Sequence, residues 1–196
     1  DHLDYYNNVE EIGQAFLNFI NKVPFYGSAI VCLDQVNIRQ IIPQIERRYC
    51  TYGIETKADI MATDIKYDGP ASHFSVLAHG DLLGQIHLKM PGKHNVSNAL
   101  AAIAAGLQMD LPFSQVTDAL EEFRGVHRRF EILGEVQDII IVDDYAHNPT
   151  KLKAALSGAC ASYDRRIIAI FQPHRYGRVK RLADEFSKSF SQSDVL

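Results

Sequence analysis

The chain has 196 residues, enough for one large domain or two small ones, and its 46% hydrophobic and 22% charged residues are typical of a globular protein. A net charge of −4 argues against nucleic acid as the main partner. The 3 cysteines are widely spaced and predict neither a disulfide framework nor a zinc site, which favours a reducing, cytoplasmic location. No apolar run is long enough to span a bilayer, so we expect no membrane partner.

The N-terminal part of the chain predicts a helix followed by a parallel βαβ unit. Apolar residues at helical spacing mark residues 8–20, with Asn8 as the helix cap. Residues 29–33 form a short apolar run typical of a buried strand, and a short helix at 38–45 leads to a second strand at 49–52. A strand, a crossover helix and another strand in this order predict two parallel neighbours.

Three short segments then predict antiparallel hairpins, at residues 60–65, 73–77 and 83–88. Asp-Gly at 68–69 and Gly-Asp at 80–81 supply the turns between them. Side chains along a strand alternate between the core and solvent, which explains the histidines of this part. We assign no chemistry to them: His73, His79 and His87.

Residues 91–98 (PGKHNVSN) break the last strand and open an Ala-rich helix, which a second helix at 114–123 follows. Asn95 is placed to cap the first helix, and Asn98 projects beside it. Two amides at a helix start can serve the donor and the acceptor on the edge of a purine ring, although capping explains the spacing more simply. No GxxxxGK[ST] phosphate loop occurs in the chain.

A basic connector that contains glycine, residues 124–130 (RGVHRRF), separates two self-contained patterns of strands and helices. We place the domain boundary here, with residues 1–125 before it and residues 126–196 after it. On the simplest interpretation Arg128 and Arg129 form a solvated face. A pair of cations at a domain junction is also well placed to bind phosphate.

The strongest pattern for a site lies in residues 139–149 (IIIVDDYAHNP). The apolar run at 139–142 predicts a strand buried on both faces and therefore parallel to its neighbours. Asn148 and Pro149 occupy the cap and the first position of a helix at 150–161. Two carboxylates, a phenol and an imidazole thus leave the carboxyl end of a strand together, where open α/β sheets bind ligands. Each of them alone is equally well explained as an ordinary loop residue.

A further apolar run, residues 167–171, predicts the next strand, followed by residues 172–178 (QPHRYGR) and a helix. Right-handed crossover places the end of this strand beside the loop at 143–149. We therefore expect one crevice with His174, Arg175 and Arg178 on one side and Tyr145 and His147 on the other. Two guanidiniums and two imidazoles suit an anionic ligand, either a carboxylate or a phosphate.

Several motifs together resemble the Mur ligases, the ATP-dependent amino-acid ligases of peptidoglycan synthesis. They occur in the family's order and span essentially the whole chain: residues 1–4 (DHLD), 91–95 (PGKHN) with 98–99 (NA), 127–130 (HRRF), 143–149 (DDYAHNP) and 172–176 (QPHRY). Residues 24–27 (PFYG) and 172–175 (QPHR) further resemble the branch that adds L-alanine. The resemblance implies an α/β fold: the C-terminal part of a P-loop-type central domain with an antiparallel β portion, then an incomplete Rossmann-like domain.

The resemblance also implies roles for individual residues. The ATP-binding residues would be His94, Asn95, Asn98, Arg129 and Asp144. The substrate-binding residues would be Tyr145, His147, His174, Arg175 and Arg178, of which His147, Arg175 and Arg178 would also be catalytic. A divalent cation, taken to be Mg²⁺, would have His2 as a ligand.

The reaction so implied is the ATP-dependent ligation of L-alanine to UDP-N-acetylmuramate through an acyl phosphate, in the cytoplasm. Another ligase of the family, such as the murein tripeptide ligase, and a non-catalytic nucleotide-binding module are the alternatives. The family's phosphate loop and nucleotide-sugar domain do not occur in this sequence, and the first residue is Asp1 rather than Met. We therefore expect a piece of a longer enzyme that is inactive alone.

Overall fold

A computed structural model describes residues 6–196 as alternating helices and strands. The helices are α1 (Val9–Ile20), α2 (Val36–Ile41), α3 (Lys93–Gln108), α4 (Phe113–Glu122), α5 (Pro149–Ser162), α6 (Tyr176–Arg181) and α7 (Ala183–Ser187). The strands are β1 (Ala29–Cys32), β2 (Tyr49–Gly53), β3 (Ile60–Asp68), β4 (Ala71–Ala78), β5 (Asp81–Leu88), β6 (Glu131–Val136) and β7 (Ile139–Asp143). A 3₁₀ turn, Ile42–Gln44, extends α2. Every helix among these residues is too short or too polar to cross a bilayer.

The first part of the chain forms a five-stranded mixed sheet in the order β1-β2-β3-β4-β5. β1 and β2 run parallel, and α2 makes the crossover between them. β2 also runs parallel to β3, whereas β3, β4 and β5 pair antiparallel through short turns. The βαβ unit, the hairpins and the mixed α/β class predicted from the sequence are confirmed.

The main core lies between this sheet and α3. Val96, Leu100 and Ile103 of α3 are fully buried, and the alanines between them let the helix backbone lie close to the strands. α4 packs on α3 at a glycine, because a Cβ at Gly106 would meet a Val116 methyl at 2.6 Å. The sheet contributes further buried side chains: Ile60, Phe74, Val76, Ile86 and Leu88.

α1 closes a second, smaller cluster against β1 and α2. Asn8 caps α1 by accepting a hydrogen bond from the backbone N–H of Glu11 at 2.8 Å, as the sequence predicts. The buried members of this cluster are Leu17, Ile20, Val31 and Ile41.

The start of α3 differs from the prediction. Gly92 is the residue before the helix, with a φ of 92°, and α3 begins at Lys93, so Asn95 lies inside the first turn. The prediction that Asn95 caps this helix is therefore wrong. The side-chain amide of Asn95 instead donates to the Pro91 carbonyl at 2.7 Å. Gly92 makes this early start possible because it tolerates a positive φ.

The pairing predicted for residues 139–142 is also wrong. β7 pairs antiparallel with β6, and Ile139 and Ile141 are 65% and 50% exposed. The antiparallel pairing results from the turn between these strands, where Gln137 and Asp138 both have a positive φ, 50° and 63°. Such a two-residue turn joins hairpins, but its usual Asn-Gly signal is missing here. An apolar β-branched run is compatible with both parallel and antiparallel pairing, so the sequence pattern alone does not distinguish the two strand directions.

Residues 167–171 do not form the predicted strand. An isolated parallel bridge joins Ile168 to Val195, and Ile170 is 97% exposed. The helix predicted after residue 178 is divided at Leu182 into α6 and α7. Within residues 6–196, β7 therefore lacks the parallel neighbour that the crossover argument requires. The loop after β7 meets α6 through other contacts, described below.

The glycine at the contact of α3 and α4 gives a test of the core. Gly106→Ala should lower the free energy of unfolding by about 1–3 kcal/mol, because the added methyl overlaps Val116 in a packed core. Gly13→Ala in α1 is the matched control, since its Cβ would meet an Ile41 methyl at an ordinary 3.6 Å. That control should raise stability by up to about 1 kcal/mol through helix propensity. Urea denaturation measures both, and an unchanged or raised stability for Gly106→Ala would contradict tight packing.

Candidate functional site

The loop between β7 and α5 carries three of the predicted site residues, Asp144, Tyr145 and His147. Its end is fixed by the start of α5, where the side chain of Asn148 accepts a hydrogen bond from the backbone N–H of Lys151 at 2.8 Å. The predicted cap of α5 is therefore confirmed, and the helix start holds the loop in place.

The connector between the two halves of the chain is hydrogen-bonded to this loop. The backbone N–H of Phe130 donates to Asp144 Oδ2 at 2.9 Å, and the N–H of Tyr145 donates to the Arg128 carbonyl at 2.8 Å. The guanidinium of Arg128 lies 4.8 Å from the centre of the Tyr145 ring, and its Nε lies 3.3 Å from Asp143 Oδ2. Arg128 thus joins connector and loop rather than forming only a solvated face.

His147 brings together the loop, α5 and α6. Its Nδ1 lies 2.7 Å from the carbonyl oxygen of Tyr145, and its Nε2 lies 3.3 Å from Lys151 Nζ. The carbonyl of His147 accepts a hydrogen bond from Arg178 Nη1 at 3.3 Å. The expected meeting of Arg178 with His147 is therefore observed, although α6 and not a parallel strand delivers the arginine.

His174 and Arg175 lie on the exposed segment that leads into α6. Arg175 is the residue before this helix and takes a φ of 66°, which is unusual for a side chain of its size. Backbone conformations of this kind cluster at ligand sites and are retained there at some cost in stability. Arg175 is three residues before Arg178, so the segment that carries it leads directly to the arginine that contacts the loop.

The start of α3 reaches the same place through His94. A Cβ at Gly92 would lie 3.0 Å from the His94 ring and 3.3 Å from Gly158 Cα, so α3 and α5 approach closely here. Burial lowers the pKa of His94, the carboxylate of Asp144 opposes that shift and the cation of Arg129 reinforces it. Because both charges act on His94, the start of α3, the connector and the loop meet at one point.

The charges at this point are mostly positive. Burial lowers the pKa of Lys151, the nearby cations Arg129 and Arg178 lower it further, and Asp144 opposes them. Burial also lowers the pKa of His147; its hydrogen bond to Tyr145 raises it, and the three cations lower it again. Repulsion among cations held this close is relieved by a bound anion, so the cluster favours phosphate or carboxylate.

A cleft of about 400 Å³ opens beside this cluster and has a volume suited to a small-molecule ligand. Met90, Val126 and Phe130 line it and offer apolar surface for a flat ring. Its polar lining includes Lys89, Asn95, Arg124, His127, Arg129 and Glu131. Asn95 is buried at one wall, whereas Asn98 is exposed one turn further along α3. Apolar surface, an amide and an excess of cations fit a purine nucleotide.

The metal site implied by the resemblance has no counterpart in this part of the chain. Among residues 6–196, no three His, Cys, Asp or Glu side chains are grouped so that they could hold a metal ion. His2, the predicted ligand, lies outside the described residues, as does the motif at residues 1–4. The Mg²⁺ site stays a prediction.

Lys151 is the site residue that the sequence analysis missed. A signal for it existed, because α5 begins at Pro149 and Lys151 lies four positions after His147. Helical side chains lean toward the N-terminus, so a lysine in the first turn points back over the preceding loop. No motif of the site includes this position, and the helical spacing is its only trace in the sequence.

Residues 1–106 match the family model of the Mur ligase middle domain, and residues 128–196 match that of the Mur ligase glutamate ligase domain. The chain belongs to the Mur ligase family. The resemblance expected from the sequence motifs is thereby confirmed, and with it the α/β fold.

Three relatives show how much of a Mur ligase the chain covers. The UDP-N-acetylmuramate–L-alanine ligase of Geotalea uraniireducens (strain Rf4) is 49% identical over 196 residues, which are 100% of this chain and 43% of that protein. The UDP-N-acetylmuramate–alanine ligase structure from Thermotoga maritima has a TM-score of 0.78 at 30% identity, covering 99% of this chain and 42% of that one. A MurF ligase from Thermotoga maritima, solved in complex with ADP, shares the fold with a TM-score of 0.79 at 17% identity, covering 98% of this chain and 44% of that one. The chain thus spans less than half the length of these Mur ligases.

The half-buried ring of His94 predicts a dependence of stability on pH. Its pKa is lowered in the folded protein, so as the pH falls below the ordinary value of 6.5 the unfolded chain takes up a proton that folded His94 resists. The free energy of unfolding should therefore fall through this window in the wild type and fall less in His94→Gln. Urea denaturation at several pH values measures the difference, with exposed His174→Gln as the control. Identical pH profiles for wild type and His94→Gln would contradict this prediction.

Proposed function

We propose that the chain supplies the ATP-binding and amino-acid-binding part of a cytoplasmic ligase that joins L-alanine to UDP-N-acetylmuramate. The observation that carries the proposal is a cleft with an excess of cations, lined by the start of α3 and the connector, beside the loop before α5 that is hydrogen-bonded to this connector. Support for the substrates comes from the relative named for this reaction, which is 49% identical over the whole chain. Three free cysteines suit a reducing compartment.

ATP would lie in the cleft between α3 and the connector. Adenine would stack on its apolar wall and receive polar contacts from Asn95, Asn98 and His94. Asp144 Oδ2 is bound by a backbone N–H, so the ribose hydroxyls would donate to Oδ1. Arg129 acts electrostatically on His94, His147 and Lys151, which suits it for the phosphates that follow the ribose.

The amino acid and the acidic sugar would bind on the α6 side of the cluster. Tyr145 and His147 present adjacent rings, with centroids 4.8 Å apart. Arg178 is anchored beside them through the His147 carbonyl, and His174 and Arg175 lie on the segment that leads into the same helix. Guanidinium groups bind carboxylates in a bidentate manner, which suits them for the carboxylates of the substrates.

In the proposed reaction, the muramyl carboxylate attacks the γ-phosphate of ATP, which gives an acyl phosphate and ADP. The amine of L-alanine, after loss of a proton, attacks the acyl carbon; the tetrahedral intermediate collapses to the amide and releases phosphate. Phosphoryl transfer depends on positioning and charge neutralisation, which Arg129 and Arg178 can support. Mg²⁺, with His2 as a ligand by resemblance, would add positive charge. Closure of residues 126–196 onto 1–125 at the connector would exclude water from the acyl phosphate.

The function is tested in the full-length ligase, by which we mean a protein of the relatives' length that contains this chain. Phosphate release from ATP is measured with UDP-N-acetylmuramate and either L-alanine or the murein tripeptide, and we expect alanine to be preferred. Preference for the tripeptide would support the murein tripeptide ligase, and nucleotide binding without turnover would support a non-catalytic module. The 196 residues alone contain no phosphate loop and should release no phosphate. Phosphate release by these 196 residues alone would contradict the proposal that the reaction needs a phosphate loop from outside them.

Asn98→Ala tests the adenine site. Loss of one amide contact of about 1–1.5 kcal/mol should weaken ATP binding roughly fivefold to tenfold and leave binding of the sugar nucleotide unchanged. Gln108→Ala, exposed at the other end of α3, is the control. Isothermal titration calorimetry measures both affinities. An unchanged Kd for ATP would remove Asn98 from the site.

Arg175→Ala tests the amino-acid side. If Arg175 stabilises charge in the transition state, kcat/KM in the full-length ligase should fall by about a hundredfold or more. Lys180→Ala, which removes an exposed cation from the last turn of the same helix, should stay near the wild-type value. Steady-state kinetics at saturating ATP make the comparison. A change within twofold for Arg175→Ala would end its proposed role.

A further inference from the structure

An unusual contact of the site joins a lysine and a histidine. Lys151 Nζ lies 3.3 Å from His147 Nε2. His147 lies just before the cap of α5 and Lys151 lies in the first turn, so the lysine side chain, which leans toward the helix N-terminus, reaches back to the histidine. The hydrogen bond from the Lys151 N–H to the Asn148 side chain fixes the helix start between them. The contact therefore follows from the local fold of this segment.

The two nitrogens of the His147 ring have different partners. Nδ1 lies 2.7 Å from the carbonyl oxygen of Tyr145, which only accepts hydrogen bonds, so Nδ1 carries a hydrogen. An ammonium group has three donors and no acceptor, so the Nε2 atom that faces Lys151 carries the lone pair. Both contacts require the same neutral tautomer of the ring.

The charges around His147 act in the same direction. Arg178 approaches from α6 with its Nη1 3.3 Å from the His147 carbonyl, and Arg129 approaches from the connector. Asp144, the carboxylate of this group, stabilises the charged form of Lys151. A second proton on His147 would add another positive charge to three existing cations. The surroundings therefore favour a neutral ring beside a charged lysine.

We propose that Lys151 is a positioning residue that fixes His147 as the neutral tautomer with hydrogen on Nδ1. The fixed ring lies against Tyr145, with centroids 4.8 Å apart and planes at 55°. While Lys151 occupies Nε2, His147 shapes the binding surface and cannot accept a proton there. The effect on turnover rests on the proposed ligase function, whereas the tautomer is a property of the protein itself.

Nitrogen-15 NMR of the full-length ligase with labelled histidine tests the tautomer directly. His147→Gln identifies the His147 signals, and at neutral pH we expect a protonated Nδ1 and an unprotonated Nε2. Lys151→Met removes the donor with little change in length, so the signals should move toward a mixture of tautomers and titrate at higher pH. Lys151→Arg restores a donor and should restore the wild-type spectrum. Exposed Lys153→Met on the same helix should leave it unchanged.

Two results would overturn the proposal. One is a His147 ring with hydrogen on Nε2, or a doubly protonated ring, in the wild type at neutral pH. The other is a Lys151→Met protein whose other histidine signals are intact and whose His147 tautomer is unchanged. Retention of the remaining histidine signals separates this result from a failure to fold.

Kinetics separate the positioning role from the ligase proposal. Loss of one hydrogen bond from a charged group should lower kcat/KM for the alanine reaction by about tenfold in Lys151→Met, with recovery in Lys151→Arg. If the wild type does not ligate alanine, the function is wrong and the tautomer result still stands. If the wild type ligates alanine and Lys151→Met retains full kcat/KM at every pH, Lys151 has no positioning role in the reaction.

Discussion

Two hydrogen bonds between the backbone of the connector and the loop after β7 hold the candidate site together. One runs from the Phe130 N–H to the Asp144 carboxylate and the other from the Tyr145 N–H to the Arg128 carbonyl. They fix the positions of Asp144 and Tyr145 relative to Arg129, which lies between the two bonded residues of the connector. Backbone donors and acceptors are present at every such position, so this geometry does not depend on the identity of most connector side chains.

The site gathers more positive than negative charge. Arg129 and Arg178 both act on Lys151, and Asp144 is the carboxylate that acts on it in the opposite direction. Asp144 already accepts a hydrogen bond from a backbone N–H, so further negative charge would stabilise the cations. A nucleotide together with acidic substrates would supply it. The same repulsion that makes this arrangement costly in the absence of ligand thus favours the ligands that a Mur ligase uses.

Stability is distributed unevenly along the chain. The first half has a continuous core of α3 on the five-stranded sheet, with several side chains fully buried. In the second half, β6 and β7 form a two-stranded pair whose apolar residues are largely exposed, as Ile139 at 65% illustrates. α5 joins the halves where Gly158 meets Gly92, a contact that leaves no room for a side chain on Gly92. The second half therefore depends on its contacts with the first for its position.

Elements whose signals lie within a few residues were predictable from the sequence alone. Asn8 and Asn148 cap α1 and α5 as predicted, because a cap needs only a side-chain oxygen and the next turn of backbone. The βαβ unit and the hairpins of the first half were predictable from periodicity and turn residues, and the family from motifs spread over the chain. The loop that carries Asp144, Tyr145 and His147 was predicted as a candidate site for the same reason, as a cluster of polar and aromatic side chains beside a helix cap.

The pairing of segments and the meeting of charges depend on how the whole chain packs. The apolar run of β7 is compatible with either strand direction, and the turn at Gln137 and Asp138 that makes it antiparallel lacks the usual glycine. Asn95 lies inside the first turn of α3 because Gly92 takes a positive φ next to α5, a close approach that no local pattern reveals. Lys151 joins Arg129 and Arg178 only when connector, α5 and α6 are packed together. Electrostatic contacts act between residues far apart in the chain, so their partners become known only when the fold is.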